Sequence, residues 1–240
     1  MFSFLSKSFI FSILISFMTL FNFAFAASQS ASSQIINLAN NTSNQSLYVV
    51  GVNANIAVWN PILLQLSDYG YLGGWSLKMV AFDNVGTLWS VGFNGDVGKW
   101  NGKSWDGQGY MGGWTLKSIA FDKNGTLWGV GAHSNVGKWN GKSWDDQGYM
   151  GGAFINMIAF DQNGTPWCVG VNGNIGKWNG TSWDDQGHMG GWYVKMIAFD
   201  NAGSLWTVGV GSNVGKWNGR SWDDQGFIGT WHLNWITWAN

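Results

Sequence analysis

The sequence predicts an all-β fold, a five-bladed β-propeller with four antiparallel strands in each blade and a ring that is closed by a blade shared between the two chain ends. Three observations support this prediction. A unit of fixed length repeats along most of the 240 residues, each unit divides into four short apolar runs, and the chain ends carry complementary fragments of one further unit. A repeated four-strand unit of about 40 residues is typical of a propeller blade.

The repeat is clearest in residues 112–150, GGWTLKSIAFDKNGTLWGVGAHSNVGKWNGKSWDDQGYM. Its register does not slip, since a Phe-Asp pair recurs every 39 residues at Phe82, Phe121, Phe160 and Phe199. The turn signals predict strands over 114–121, 126–131 and 136–139 and a short fourth strand near Trp144. Asn-Gly between apolar runs favours hairpin turns, because both residues tolerate positive φ. A helical repeat would need apolar runs of about ten residues without internal glycine.

The chain ends predict how the ring closes. Residues 229–240 match only the first strand of the repeat, and residues 46–72 match the strands that follow it. The predicted propeller, 46–240, therefore has a shared blade 1 (46–72 plus 229–240) and four whole repeats, which we call blades 2 to 5: 73–111, 112–150, 151–189 and 190–228. A ring needs this sharing to remove its free sheet edges, whereas an open solenoid gains nothing from it.

The first 26 residues predict a signal peptide, because Lys7 precedes a long apolar stretch that ends in Ala24-Phe25-Ala26. A retained membrane anchor is the alternative, although an anchor needs about 20 apolar residues. Residues 27–45 are small and polar and predict a disordered arm. We therefore expect a secreted or exported protein, extracellular or periplasmic, that does not bind the membrane once the signal is removed.

The charged residues argue against several functions. The net charge of -1 offers no basic patch for nucleic acid. Catalysis needs one asymmetric constellation of groups, and the repeated aspartates do not provide it. His133, His188 and His232 occupy unrelated repeat positions, which argues against a metal site and a catalytic triad. We expect no enzymatic activity and no cofactor, and we expect Cys168 to be a buried, inert thiol.

Each junction between repeats carries a candidate sugar-binding set. Sugars are bound by an aromatic ring face together with a few fixed amide or carboxylate groups. The loop after the fourth strand supplies such groups at Asp106, Gln108, Tyr110, Asp145, Asp146, Gln147, Tyr149, Asp184, Asp185, Gln186, His188, Asp223, Asp224 and Gln225. The positions that open the repeats supply Trp75, Trp114, Trp192 and Trp231, whereas Ala153 stands there in blade 4. Turn formation explains why these loops contain Gly and Asp, but it does not require the recurring glutamines, which therefore favour a ligand site.

Two motifs resemble those of known families. Asp-x-x-Gly-Thr-x-Trp at Asp122 resembles the Asp-box turns of sialidase propellers, in which we expect the carboxylate to cap backbone amides. A longer pattern, Gly-Gly-Trp-x6-Phe-Asp-x-x-Gly-x-Leu-Trp-x-Val, at 73–91, 112–130 and 190–208 resembles the repeat of the tachylectin-2 family of five-bladed lectins, and more loosely the tectonin repeats. The tachylectin-2 resemblance implies a split closing blade and binding of GlcNAc or GalNAc between adjacent blades.

Three functional classes remain open at this point. The first is a multivalent lectin whose partners are glycans bearing N-acetylhexosamine on cell surfaces. The second is a protein-interaction or adhesion propeller, which predicts an exposed apolar surface confined to one or two blades. An enzyme is the third and least favoured class. The opening tryptophans and the Asp-Gln-Gly loops fit a ligand site and a structural role equally well.

Overall fold

The structure, a computed structural model, describes residues 46–60, 65–70, 72–150, 154–229 and 231–239. The predicted signal peptide and polar arm lie outside these residues, as does Ala153. The described residues form five four-stranded sheets in which every strand pairs antiparallel with its neighbour. The predicted fold class is therefore confirmed.

The four whole blades each fold consecutive strands into one sheet, and the first strand lies next to the ring axis. Blades 2 and 3 comprise β4 (Leu77–Phe82), β5 (Leu88–Gly92), β6 (Val97–Trp100), β7 (Trp105–Gly109), β8 (Leu116–Phe121), β9 (Leu127–Gly131), β10 (Val136–Trp139) and β11 (Trp144–Asp146). Blades 4 and 5 comprise β12 (Ile155–Phe160), β13 (Pro166–Gly170), β14 (Ile175–Trp178), β15 (Trp183–Gly187), β16 (Val194–Phe199), β17 (Leu205–Gly209), β18 (Val214–Trp217) and β19 (Trp222–Gly226).

Blade 1 closes the ring as predicted. The N-terminal segment supplies β1 (Leu47–Gly51), β2 (Ile56–Asn60) and β3 (Gln65–Asp68), and the C-terminal segment supplies the innermost strand, β20 (Leu233–Trp238). β20 pairs antiparallel with β1 from Leu47↔Trp238 to Gly51↔Leu233. Leu233 and Ile236 are fully buried, so the last strand is part of the hydrophobic core.

The innermost strands share a β-bulge. In β8, Leu116 pairs with Gly131 and Ser118 pairs with Val130, which leaves Lys117 as the extra residue. The same shift occurs at the same repeat position in β4, β12, β16 and β20. The prediction for the first strand was therefore too long, because Trp114 precedes β8 and lies outside the ladder.

Side-chain acceptors stabilise the turns. Asp122 Oδ1 accepts hydrogen bonds from the backbone N–H groups of Asn124 and Thr126, both 2.9 Å, and its Oδ2 accepts one from Trp128 Nε1 at 3.0 Å. Burial raises the pKa of Asp122, but these hydrogen bonds outweigh it and the pKa is lowered. The capping role predicted for this aspartate is confirmed.

In the Asn140-Gly141 turn only the glycine has positive φ, +94°. The Asn140 side chain caps this turn, since its Oδ1 accepts hydrogen bonds from the backbone N–H groups of Lys142 and Ser143.

Candidate functional site

The opening tryptophans lie against glycines of their own blade. A Cβ placed on Gly137 would come within 3.0 Å of the indole of Trp114, and one on Gly131 within 3.3 Å. Equivalent glycines contact the other described opening tryptophans: Gly98 with Trp75, Gly215 with Trp192 and Gly51 with Trp231. Glycine is needed at these strand positions because a larger residue would push the indole away from the sheet.

In blades 2, 3 and 5 a second tryptophan, at the start of the fourth strand, flanks the indole. The rings of Trp114 and Trp144 are stacked, with centroids 5.4 Å apart and an interplanar angle of 26°. Trp144 is buried, and its Nε1 donates a 2.6 Å hydrogen bond to the carbonyl of Met111. Trp114 itself is only half-buried, so its indole both packs on the blade and presents surface to solvent.

A cleft opens beside Trp114 with a volume of about 230 Å³. Its walls include Trp114, Thr115, Ala132, His133 and Asn135. The turn that carries Ala132 is held against the opening segment, since the Ala132 N–H donates to the Thr115 carbonyl at 2.8 Å. The Asn135 side chain makes no hydrogen bond to any residue that the structure describes, so its amide groups remain available in the cleft. An aromatic ring, a hydroxyl, an imidazole and an amide therefore converge on one opening.

The corresponding cleft of blade 4 measures about 300 Å³. Phe154, Cys168, Asn174, Trp183 and Asp185 contribute to its walls. The Trp183 Nε1–H is buried and has no hydrogen-bond partner within the described ranges, unlike the equivalent group of Trp144. Burial raises the pKa of the Cys168 thiol to about 12, which keeps it protonated and inert, in agreement with the sequence expectation.

The first aspartate and the glutamine of the strand-four loop bond within their own loop. Asn140 Nδ2 donates to Asp145 Oδ1 at 2.7 Å, and Gln147 Nε2 donates to the Asp145 carbonyl at 2.9 Å. The same two bonds recur at Asp106 with Gln108, Asp184 with Gln186 and Asp223 with Gln225. The glutamine therefore has a structural role that the sequence argument did not anticipate.

The second aspartate lies on the same sheet face as the opening tryptophan. Asp146 is the register partner of Gly137, on which Trp114 packs, whereas Asp145 is paired with Lys138 and points to the opposite face. Asp185 and Asp224 occupy the equivalent positions in blades 4 and 5. In blades 3, 4 and 5 the structure thus divides the predicted set, placing the second aspartate with the opening position and the first aspartate away from it; blade 2 has Gly107 in place of the second aspartate.

Aromatic pairs connect the end of one blade to the start of the next. The ring centroids are 5.4 Å apart for Tyr149 and Phe154, 4.0 Å for His188 and Tyr193, and 5.5 Å for Phe227 and His232. Tyr110, the equivalent residue at the end of blade 2, is 51% exposed. These loop aromatics lie at the blade junctions, as the sequence predicted.

Sequence reasoning missed the turns between the second and third strands. These turns carry His133 and Asn135, which line the cleft beside Trp114. They also carry apolar residues at one repeat position that are 44–63% exposed: Val52, Phe93, Val171 and Val210. An apolar residue in a tight hairpin turn is unusual and is the signal that could have drawn attention to them.

The part of the chain that the structure covers shows neither a metal site nor a membrane-spanning helix. No group of three or more His, Cys, Asp or Glu side chains there could hold a metal ion. None of the described helical segments has the length and apolarity that crossing a bilayer requires.

Comparisons with known proteins agree on the fold. No protein family profile matches the chain, and no curated protein matches it significantly. A solved structure reported as "The de novo evolutionary emergence of a symmetrical protein is shaped by folding constraints" is similar, with a TM-score of 0.56 and 17% identity over 80% of this chain and 97% of that one. A protein of unknown function from Bacteroides thetaiotaomicron gives a TM-score of 0.51 and 11% identity over 72% of this chain and 56% of that one.

A streptogramin B lyase structure is also similar, with a TM-score of 0.47 and 12% identity over 78% of this chain and 70% of that one. That TM-score is too low to carry an argument about activity. The other two similarities show the fold alone, because their sequence identities are low. Together with the sheet topology, they define the chain as a five-bladed β-propeller repeat protein.

Proposed function

We propose that the protein is an exported, multivalent lectin that binds N-acetylated sugars such as GlcNAc and GalNAc in the clefts beside its opening residues. The observation that carries this proposal is the cleft at Trp114, where a half-exposed indole lies next to the unpaired side-chain amide of Asn135. An indole face suits the C–H side of a sugar ring, and an amide with a hydroxyl suits its polar substituents. The resemblance to the tachylectin-2 repeat points to the same ligand class.

The repetition of the cleft supports a multivalent mode of binding. Four of the five blades carry a tryptophan at the opening position. Asparagine recurs at the position of Asn135 as Asn55, Asn174 and Asn213, each of which donates one Nδ2–H to an aspartate of its own blade and keeps its Oδ1 for a ligand. Blade 2 has Asp96 there instead. Weak single sites on one rigid ring gain avidity on a surface that displays many copies of the sugar.

The distribution of exposed apolar residues disfavours the interaction-module alternative. That alternative predicts an apolar surface confined to one or two blades. Exposed apolar residues instead recur at separate blade junctions, with Tyr110 at the end of blade 2, Tyr149 at the end of blade 3 and Phe227 at the end of blade 5. A feature repeated in most blades fits repeated ligand sites better than one protein footprint.

An NMR titration tests the proposal. With GlcNAc or GalNAc, we expect shifts of the Trp114 Nε1–H, the Asn135 side-chain amide and their equivalents, and no effect of EDTA. Asn135→Ala should remove the response of the blade 3 cleft alone. Asn124→Ala is the matched control, because Asn124 is exposed in a turn between first and second strands and does not line the cleft. Shifts confined to the turns between first and second strands, or no shift with either sugar, would rule out the proposed clefts.

A further inference from the structure

Five homologous side chains surround the mouth of the central channel. They are the extra residues of the β-bulges in the innermost strands: Lys78, Lys117, Asn156, Lys195 and Asn234. All five are half-buried and line a single cavity of about 620 Å³. A bulge re-aims the side chain of its extra residue, and bulges are enriched beside functional sites. The repeated bulge thus directs three ammonium groups and two amides into one space.

Neutral groups hold two of the three ammonium groups. Lys117 Nζ donates to Ser134 Oγ at 2.9 Å and to Asn156 Oδ1 at 3.4 Å. Lys195 Nζ makes the corresponding bond to Ser212 Oγ at 3.0 Å and a second one to the Leu233 carbonyl at 3.2 Å. An ammonium group has three N–H donors, so each of these lysines keeps one for a ligand.

Lys78 has no such support. Gly95 takes the repeat position of Ser134 and Ser212, and Lys78 Nζ donates no hydrogen bond to any residue within the described ranges. Burial lowers the pKa of Lys78, and the nearby charge of Lys117 lowers it further. Burial also lowers the pKa values of Lys117 and Lys195. No carboxylate is among the described residues that line the cavity, so the three positive charges lack a protein counter-ion.

The rim of the same cavity is apolar. Phe93, Val171 and Val210 come from equivalent turns and are 54%, 51% and 63% exposed, while Trp235 and Met157 line the wall between the strands. A cavity of a few hundred Å³ with apolar walls and a few convergent polar groups is typical of a small-molecule site. The charge of the convergent groups determines which class of molecule it accepts.

We propose that the channel mouth binds a small organic molecule with a multivalent oxyanion, either a phosphate monoester or a polycarboxylate. Lys78, Lys117 and Lys195 contact the oxyanion, and the organic portion packs on Phe93, Val171 and Val210. A multivalent anion matches three fixed positive charges, and charge-assisted hydrogen bonds to the free ammonium donors hold it in place. The cavity shares the turn 170–172 with the blade 4 cleft, but its three lysines line neither described sugar cleft, so a change of a lysine tests this proposal independently of sugar binding.

Calorimetry at low ionic strength tests the site with phenyl phosphate, inorganic phosphate and citrate. We expect one anion bound per ring, with phenyl phosphate tighter than inorganic phosphate because its ring contacts the rim. Lys78→Gln should weaken binding about tenfold or more, without loss of melting temperature, since this side chain has no hydrogen bond to lose. Lys142→Gln is the matched control, because it removes the same charge from an exposed turn between third and fourth strands.

Two outcomes would overturn the proposal. One is the absence of binding heat with all three anions. The other is an equal loss of affinity in Lys78→Gln and Lys142→Gln, which would mean that only the overall charge matters. Asn234→Lys tests the same geometry by gain of function. It adds a fourth ammonium group at the bulge of β20, which neighbours blade 2, and it should tighten citrate binding. Unchanged or weaker binding by that variant would also count against the site.

Discussion

The change Trp192→Ala measures how far an opening tryptophan belongs to the scaffold. The indole of Trp192 lies within 3.1 Å of a Cβ position on Gly215, and its ring centroid is 6.1 Å from that of Trp222. Truncation of a fully buried tryptophan to alanine costs about 3–5 kcal/mol. Because Trp192 is half-buried, we expect a loss of about 2 kcal/mol in the free energy of unfolding.

Urea unfolding followed by circular dichroism provides the stability measurement, and titration with GlcNAc provides the number of binding sites. The variant should stay folded at low urea and lose only the blade 5 site, since distant clefts are independent. Val85→Ala is the stability control, because Val85 is 87% exposed in a turn and its truncation should have little effect. A free energy of unfolding equal to that of the control would refute the packing argument. Loss of every site in a folded variant would refute the argument that the sites are local.

Three further predictions follow from other parts of the ring. Ala153→Trp should add the missing aromatic wall to the blade 4 cleft and strengthen sugar binding there in a GlcNAc titration, and a count of five equal sugar sites before this change would exclude the opening tryptophans as sugar contacts. Deletion of residues 231–240 removes β20 with its buried Leu233 and Ile236, so the protein should unfold or aggregate; an unchanged melting temperature would contradict the ring closure. The free energy of unfolding should rise with pH between the lowered pKa of Lys78 in the folded protein and its ordinary value of 10.5. In this range the lysine is protonated in the unfolded chain and largely deprotonated in the folded one, so the unfolded chain binds more protons. Urea midpoints should rise less steeply with pH in Lys78→Met; identical pH profiles would contradict this.

The candidate site was only partly predictable. The sequence identified the opening tryptophans and the strand-four loops, because both recur at a fixed period. It could not separate Asp145 from Asp146, since neighbouring strand residues point to opposite faces and only the register shows which of them faces Trp114. It also assigned the glutamines to ligand binding, whereas Gln147 bonds to the carbonyl of Asp145. That bond depends on the backbone course of the loop, which composition does not reveal.

The sequence by itself determined the architecture of this protein. Period, turn residues and the split repeat fix five blades and a closing strand, because each is a local or repeating property of the chain. Only the tertiary structure brought residues 39 positions apart to one place. Lys78 and Lys117 lie in different blades, and they share a cavity only because a bulge turns each side chain toward the channel mouth once the ring is closed. A bulge is a feature of strand pairing, so a reading of single strands does not reveal it.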